Sequence, residues 1–353
     1  MNLDDWRSRI NHLDEEILKL LNQRGTAALR IGELKRQQGL PYFIPEREAQ
    51  VLDRLAAMTE GPLGGDAIRA IWREILSASL ALEHPLRVAY LGPPGTFTHQ
   101  AATRRFGSST QLVPVRTIAE IFDEVERGRA EFGVVPVENS TEGAVSVTLD
   151  RLIDSDVTIT GEMTLEISQH LISRAAELGE VKLVCSHPQG LAQCRAWLAA
   201  HLPEAVTEET PSTAAAVERA RDDATVAAIA SDMAAAVHRV PILRPRIEDN
   251  PANSTRFLVI GRRPVAPTGR DKTSILFSMK NEPGVLYSIL QPFAANRLNL
   301  TKIESRPTKR RPWEYVNFLD FEGHCDTENV RSVLAEVRQR CQFLKVLGSY
   351  PAA

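Results

Sequence analysis

The sequence predicts a multidomain chain: an all-α domain first, an α/β domain in the middle and a small α+β ferredoxin-like module last. Three observations carry that prediction. Apolar residues recur at helical three- and four-residue steps from Leu3 to Glu83. Strand-like and helix-like segments then alternate to about Gly261. The remainder follows the order βαββαβ. A chain of 353 residues has room for two or three domains, each large enough to bury a core.

The first helix runs from Leu3 to about Arg36. It contains no Pro and only the isolated Gly25 and Gly32, while Trp6, Ile10, Leu13, Ile17, Leu20, Arg24, Ala27, Ile31 and Leu34 form its stripe. "GLPYFIPEREAQ" breaks it, a second helix spans about Glu46 to Met58, "TEGPLGGD" breaks again, and a third spans Asp66 to about Glu83. These form a helical domain over residues 1–84. After "EHPLR", the strand-like "RVAYLG" opens an α/β domain over 86–263. A linker, "RRPVAPTGRDK", leads into the module over 273–350. There "TSILFSM", helix-like "PGVLYSILQPFAAN", strands near "LTKIESRP" and "YVNFLDFEG", helix-like "ENVRSVLAEVRQRC" and a final "FLKVLGSY" complete the ferredoxin-like order.

The net charge of −3, with acids and bases interspersed, offers no basic face for nucleic acid. Cys185, Cys194, Cys325 and Cys341 show no CxxC spacing, which disfavours a zinc site and a disulfide framework and points to a reducing cytoplasm. No run approaches the ~18 apolar residues that cross a bilayer, and "MNLDDWRSRI" is charged from its start, so neither export nor membrane insertion is signalled. No metal and no cofactor is expected. "GPPGTF" lacks the Lys of a phosphate-binding loop, and His99 and His187 stand alone.

Two places carry chemistry. Arg24 lies in the apolar stripe of the first helix, and Lys35 returns to nearly the same angle about 16 Å along the axis, near enough for both to reach one anion. Arg7 is about 25 Å from Arg24, so it would serve a site on a neighbouring subunit. The alternative is that Arg7 and Lys35 snorkel to solvent. In "VVPVENSTEGAV", Val134 to Val145, a strand ends in Glu138, Asn139, Ser140 and Thr141, where open α/β sheets place ligands. Capping of the next helix by Ser140 or Thr141 would need the same residue types.

With these motifs in view the chain resembles a known family. Residues 1 to about 84 resemble the helical chorismate mutase domain, through Arg7, Asp14, Arg24, Lys35, "PEREAQVL" with Arg47 and Glu48, and the pair Ser79 and Glu83. "GPPGTFTHQAA", "VVPVENSTEGAV", "SHPQGLAQC" and "NSTRFLVIG" resemble prephenate dehydratase. "NEPGVLYSIL" and "KIESRP" resemble an ACT regulatory domain. The order is that of the bifunctional family often called P-protein.

That resemblance implies the remaining expectations. The α/β domain would be two-lobed, like periplasmic binding proteins, and the chain would be a cytoplasmic homodimer or higher oligomer. It would convert chorismate to prephenate and prephenate to phenylpyruvate, under inhibition by L-phenylalanine. In the mutase site Arg24 and a partner chain's Arg7 would clamp carboxylates, Lys35 and Glu83 would address the ether oxygen, and Arg47, Glu48 and Ser79 would position the ring substituents. Ile44 stands where many relatives place Asp. In the dehydratase site Thr255 would meet the departing hydroxyl, with Glu138, Asn139, Ser140, Ser186, Gln193, Thr96 and Thr98 around the substrate. Phenylalanine would bind through Asn281, Gly284, Val285, Leu286, Glu304, Ser305 and Arg306. Two other readings stay open: a two-lobed ligand sensor without turnover, and a dehydratase that prefers arogenate.

Overall fold

The computed structural model describes residues 2–280, 282–307 and 315–352. The chain divides into two compact units, Met1–Arg87 with Phe106–Gln111, and Val88–Arg105 with Leu112–Ala353. The first is helical: α1 (Leu3–Gln38), α2 (Pro45–Met58) and α3 (Gly65–Glu83). A capping box starts α1. Asn2 Oδ1 accepts the N–H groups of Asp4 and Asp5 at 3.0 and 2.9 Å, and the Asp5 carboxylate accepts the N–H of Asn2 at 2.8 Å. Gly39, at φ +65°, ends it in the left-handed conformation that glycine adopts at least cost.

Helix α3 packs on both α1 and α2. The buried residues of α1 are Ala28 and Gly32, both in its C-terminal half, whereas Trp6, Ile10, Leu13 and Ile17 are exposed. The apolar stripe itself stays uncovered within one chain as far as Ile31 and Leu34, with Arg24 its one half-buried member, and what α3 covers is the adjacent face of Ala28 and Gly32. Gly32 is what lets α3 approach: a Cβ there would lie 3.0 Å from the Cβ of Glu83.

The second unit opens with a lobe made of β1 (Arg87–Leu91), α4 (Phe97–Phe106), β2 (Gln111–Val115), α5 (Ile118–Glu126), β3 (Phe132–Asn139), β4 (Gly143–Ala144), α6 (Ser146–Asp154) and β5 (Thr158–Glu166). The chain then crosses to a second lobe of β6 (His170–Ser173), β7 (Leu183–Ser186), α7 (Pro188–Gln193), α8 (Arg195–His201), β8 (Val206–Glu209), α9 (Thr213–Asp222), β9 (Val226–Ala230), α10 (Asp232–His238) and β10 (Ile242–Arg244). It returns to the first lobe as β11 (Ser254–Gly261). The sheet orders are β2-β1-β3-β11-β5, with β4 on β3, and β10-β6-β9-β7-β8. The two crossings hydrogen-bond each other, Ile167 N–H to Asn253 O at 2.9 Å and Ile247 N–H to Gln169 O at 2.8 Å.

One irregularity decides which side chains reach the cleft between the lobes. β3 and β11 pair antiparallel, with Thr255 opposite Asn139, Arg256 opposite Glu138 and Phe257 opposite Pro136. Val137 is thus an extra residue on β3, a bulge that inverts the alternation of faces beyond it.

The C-terminal module comprises β12 (Asp271–Ser278), α11 (Val285–Ala295), β13 (Leu300–Pro307), β14 (Tyr315–Glu322), α12 (Glu328–Arg340) and β15 (Phe343–Pro351), with its antiparallel sheet in the order β13-β14-β12-β15. That is the ferredoxin-like order expected. Leu276, Val316, Phe318, Leu347 and Tyr350 share one core with Val135, Val137, Leu149, Ile159 and Leu258 of the first lobe. Each such side chain contributes about 1.5–3 kcal/mol on full burial. β15 lies so close to β5 that a Cβ on Gly348 would come within 2.1 Å of the carbonyl oxygen of Ile159. Among the described residues no helix is long and apolar enough to cross a membrane.

Candidate functional site

In the helical unit, the inward cations of α1 meet the end of α3. The Lys35 ammonium donates to Glu83 at 2.9 Å and to the carbonyl of Tyr42 at 2.8 Å, and only 10 % of the Glu83 side chain is exposed. Arg24 donates to the hydroxyl of buried Ser79, which itself donates to Ile75 O at 2.7 Å. Burial lowers the Arg24 guanidinium from its usual range, and the Glu83 carboxylate partly counters this. The structure therefore brings Arg24, Lys35, Ser79 and Glu83 together. Arg47 is exposed and Glu48 half-buried at the start of α2. Arg7 stands at the far end of α1, exposed and paired with Asp4 at 3.3 Å. Ile44, at the N-cap of α2, supplies no side-chain cap.

The second unit holds a cleft of about 590 Å³ between its lobes, and among the expected residues Thr96, Thr98, Asn139, Gln193 and Thr255 line it. Asn139 sets the polarity at its floor. Its Oδ1 accepts the backbone N–H groups of Thr141 and Glu142 at 3.0 and 3.1 Å, which turns its Nδ2 toward Thr255 Oγ1 at 2.9 Å and Asn253 Oδ1 at 2.9 Å. Thr255, 9 % exposed, is thus an acceptor within the protein, and its own O–H remains for whatever enters the cleft. Gln193 Oε1 accepts from Gln169 at 3.0 Å. Thr96 donates to Leu91 O at 2.7 Å and shapes the first loop.

Three expected substrate contacts lie elsewhere. Glu138 falls on the reverse face of β3, because the bulge at Val137 gives the cleft to Asn139, and it pairs with Lys302 at 2.7 Å. Ser140 staples strand ends by accepting the N–H of Ser254 at 2.9 Å. Ser186 is fully buried, donates to Ile229 O at 2.7 Å and braces β7 against β9. Capping of α6 by Ser140 or Thr141 is also not what occurs: the N-cap is Val145. Conversely, Arg116, Glu142, Gln169 and His187 line the cleft without having been singled out as contacts. Arg116 follows the carboxyl end of β2, a position where α/β sheets gather ligands, and that signal was readable. Gln169 comes from the crossing into the second lobe, which carries no motif.

Both histidines of the cleft motifs use Nδ1 to hold backbone N–H groups. His99 Nδ1 accepts the N–H of Gly95 at 3.0 Å, its ring stacks on Tyr90 at 4.8 Å, and burial lowers its basicity. His187 caps α7 through Gln189 N–H at 3.3 Å. Among the described residues, His324, Cys325 and Asp326 form the one cluster of possible metal ligands. His324 is 2 % exposed, with Nε2 on Val265 O at 2.9 Å and Nδ1 accepting Asp326 N–H at 3.0 Å, so neither nitrogen is left for a metal.

In the module, Gly284 is the N-cap of α11 at φ +83°, followed by half-buried Val285 and exposed Leu286. Asn281 lies outside the described residues. On β13, Ser305 donates to Asn317 at 2.6 Å, Glu304 is half-buried, and Arg306 reaches Asp150 of α6 at 3.5 Å.

Comparison with known proteins follows the same three divisions. Family models match for chorismate mutase type II over residues 6–84, prephenate dehydratase over 88–265 and the ACT domain over 273–339. The fold and cleft are therefore those of a prephenate dehydratase fused to a helical chorismate mutase domain. A bifunctional chorismate mutase/prephenate dehydratase of Aquifex aeolicus is 49% identical over 99% of this chain and 98% of its own, and one of Pseudomonas aeruginosa is 45% identical over 98% and 97%. A solved prephenate dehydratase from Arthrobacter aurescens, in complex with L-Phe, is 34% identical with a TM-score of 0.70, covering 76% of this chain and 90% of its own. The chain belongs to the bifunctional chorismate mutase/prephenate dehydratase family.

Proposed function

We propose that the chain is a cytoplasmic enzyme that rearranges chorismate to prephenate in the helical unit and converts prephenate to phenylpyruvate in the cleft, under inhibition by L-phenylalanine at the ACT module. The first step is intramolecular, so a site need only hold a dicarboxylate in a compact conformer and stabilise charge on the ether oxygen. Arg24, braced by Ser79, takes a carboxylate, and Lys35 donates to the ether oxygen. Glu83 joins Lys35 there only in its acid form, since a carboxylate cannot donate. Arg47 and Glu48 flank the ring substituents. The uncovered stripe Trp6, Ile10, Leu13 and Ile17 supports an antiparallel pairing of two copies that lends Arg7 to the neighbouring site.

In the cleft the reaction consumes one proton and releases water and carbon dioxide. The bond to the ring carboxylate breaks, its electrons aromatise the ring, and the hydroxyl opposite departs. The observation that carries this reading is the Asn139–Thr255 bond, which uses the Thr255 oxygen as an acceptor and leaves its O–H to donate to the departing oxygen. Among the described residues lining the cleft, Arg116 is the one Lys or Arg. It suits the side-chain carboxylate, which survives the reaction. A cation on the departing carboxylate would oppose its loss.

For the module, Gly284, Val285 and Leu286 with Glu304, Ser305 and Arg306 offer a helix start and a charged strand to an amino acid. The L-Phe held by the Arthrobacter dehydratase supports the same ligand here. Purified protein supplied with chorismate, with and without L-phenylalanine, should form prephenate and then phenylpyruvate, the second step being inhibited. Thr255→Ala should lower phenylpyruvate formation by about 10²–10³-fold, the scale of one lost transition-state donor, and leave prephenate formation intact. Near-normal dehydration by that variant would reduce Thr255 to a packing residue.

A further inference from the structure

The strands that form the floor of the cleft carry two adjacent register pairs on opposite faces. Asn139 and Thr255 face the cleft. One step along, Glu138 and Arg256 face the ACT module. Lys302 of β13, its side chain 11% exposed, meets Glu138 at 2.7 Å. Arg256, 16% exposed, donates to Asp320 of β14 at 2.6 Å, to Glu162 of β5 at 2.7 Å and to the Tyr350 hydroxyl of β15 at 3.1 Å. Lys272 donates to the second carboxylate oxygen of Glu162 at 2.6 Å, and Ser274 donates to Asp320 at 2.6 Å. Two strands of the cleft are therefore tied to the module by ion pairs, the Arg256 group buried and hydrogen-bonded, and the Lys302–Glu138 pair buried on the lysine side and open to water on the Glu138 side. Such ions resist separation because parting them would leave a charge buried without a partner.

Backbone rigidity connects the two faces. In a strand, neighbouring side chains share one pleat, so a shift that follows Arg256 or Glu138 also moves Thr255 or Asn139. β13 carries both Lys302 and the residues assigned above to phenylalanine, Glu304, Ser305 and Arg306.

We propose that Glu138 and Arg256 are positioning residues through which the ACT module sets the geometry of the Asn139–Thr255 pair, Glu138 acting through Lys302 and not by touching substrate. The proposal rests on reading the cleft as the prephenate site. It also accounts for the middle residue of "TRF", since Thr255 and Phe257 line the cleft while Arg256 points the other way.

The test compares Lys302→Met, Glu138→Gln and the double variant in the full-length protein. Lys302→Met leaves Glu138, 39% exposed, able to be hydrated, so this variant is expected to fold. Near-ultraviolet circular dichroism checks all three. Both single variants should lower kcat for prephenate by a similar factor, about tenfold to a hundredfold as for a misplaced catalytic group, with little change in KM. The double variant should be no worse than either single one. L-Phenylalanine should still bind by equilibrium dialysis, but its maximal inhibition should shrink. The exchanged pair Glu138→Lys with Lys302→Glu should recover kcat. A parent protein that forms no phenylpyruvate overturns the reading of the cleft and the link with it. If the parent turns over, the link alone is overturned by a raised KM in Glu138→Gln beside unchanged kcat and inhibition in Lys302→Met.

Discussion

Asn139 has one amide to orient, and the backbone of Thr141 and Glu142 has taken its oxygen. Everything about the Thr255 hydroxyl follows from that choice. Asn139→Asp would replace the donor with an acceptor, so Thr255 would turn its proton toward the new carboxylate and away from substrate. Dehydratase kcat should fall by about 10²–10³-fold with a smaller effect on KM, and steady-state kinetics on prephenate would show it. A second residue-scale consequence comes from His99. Its folded form is held neutral by burial, and its Nδ1 keeps Gly95 N–H in place. Because the folded value lies below the unfolded one of about 6.5, its contribution is complete above that pH and is lost as pH falls through it toward the lowered folded value. His170 is lowered in the same way, first by burial, and adds to the effect. The urea midpoint should therefore drop between neutral pH and more acidic solution, and His99→Asn, which keeps an acceptor and cannot take the proton, should blunt that drop. An equal drop in the variant would show that other groups govern it.

At the scale of elements, helix α1 depends on a missing side chain. Gly32→Ala places a methyl 3.0 Å from the Cβ and 3.1 Å from the Cα of Glu83, and helix backbone cannot step aside as a flexible side chain would. Overpacking of this kind costs about 1–3 kcal/mol, and it would part Lys35 from Glu83. Mutase activity should fall severalfold or more with dehydratase activity unaffected, as separate assays of the two products would report. The sequence showed the three helices, since Gly- and Pro-containing breaks separate them, and α1 runs only two residues beyond the expected Arg36. It also pointed to Asn139 and, by resemblance, Thr255, which line the cleft, and to Arg24 and Lys35, which turn to Ser79 and Glu83 of α3. The face of Glu138 was beyond it. In a strand, one inserted residue exchanges the two faces, and nothing in "VVPVEN" marks Val137 as the extra one. Gln169 escaped for a different reason: it reaches the cleft from a crossing whose path depends on the second lobe.

At the scale of the molecule, the ACT module is part of the first lobe's core and not an appendage, since Leu276, Phe318 and Leu347 are buried together with Val135 and Ile159. Ligand binding at the module can therefore reach the cleft through packed strands. The helical unit has the opposite character, with Trp6, Ile10, Leu13 and Ile17 left open to water. If that stripe closes only on a second copy, the first activity obeys mass action and the second does not, because every residue assigned to the cleft comes from one chain. Progressive dilution should then reduce specific mutase activity toward a plateau set by half-built sites, while dehydratase activity per chain stays level. Parallel loss of both in a dilution series would show that each chain completes its own mutase site. The exposed stripe would thus make abundance a control: a cell holding little of this protein would keep the means to consume prephenate and lose the means to make it.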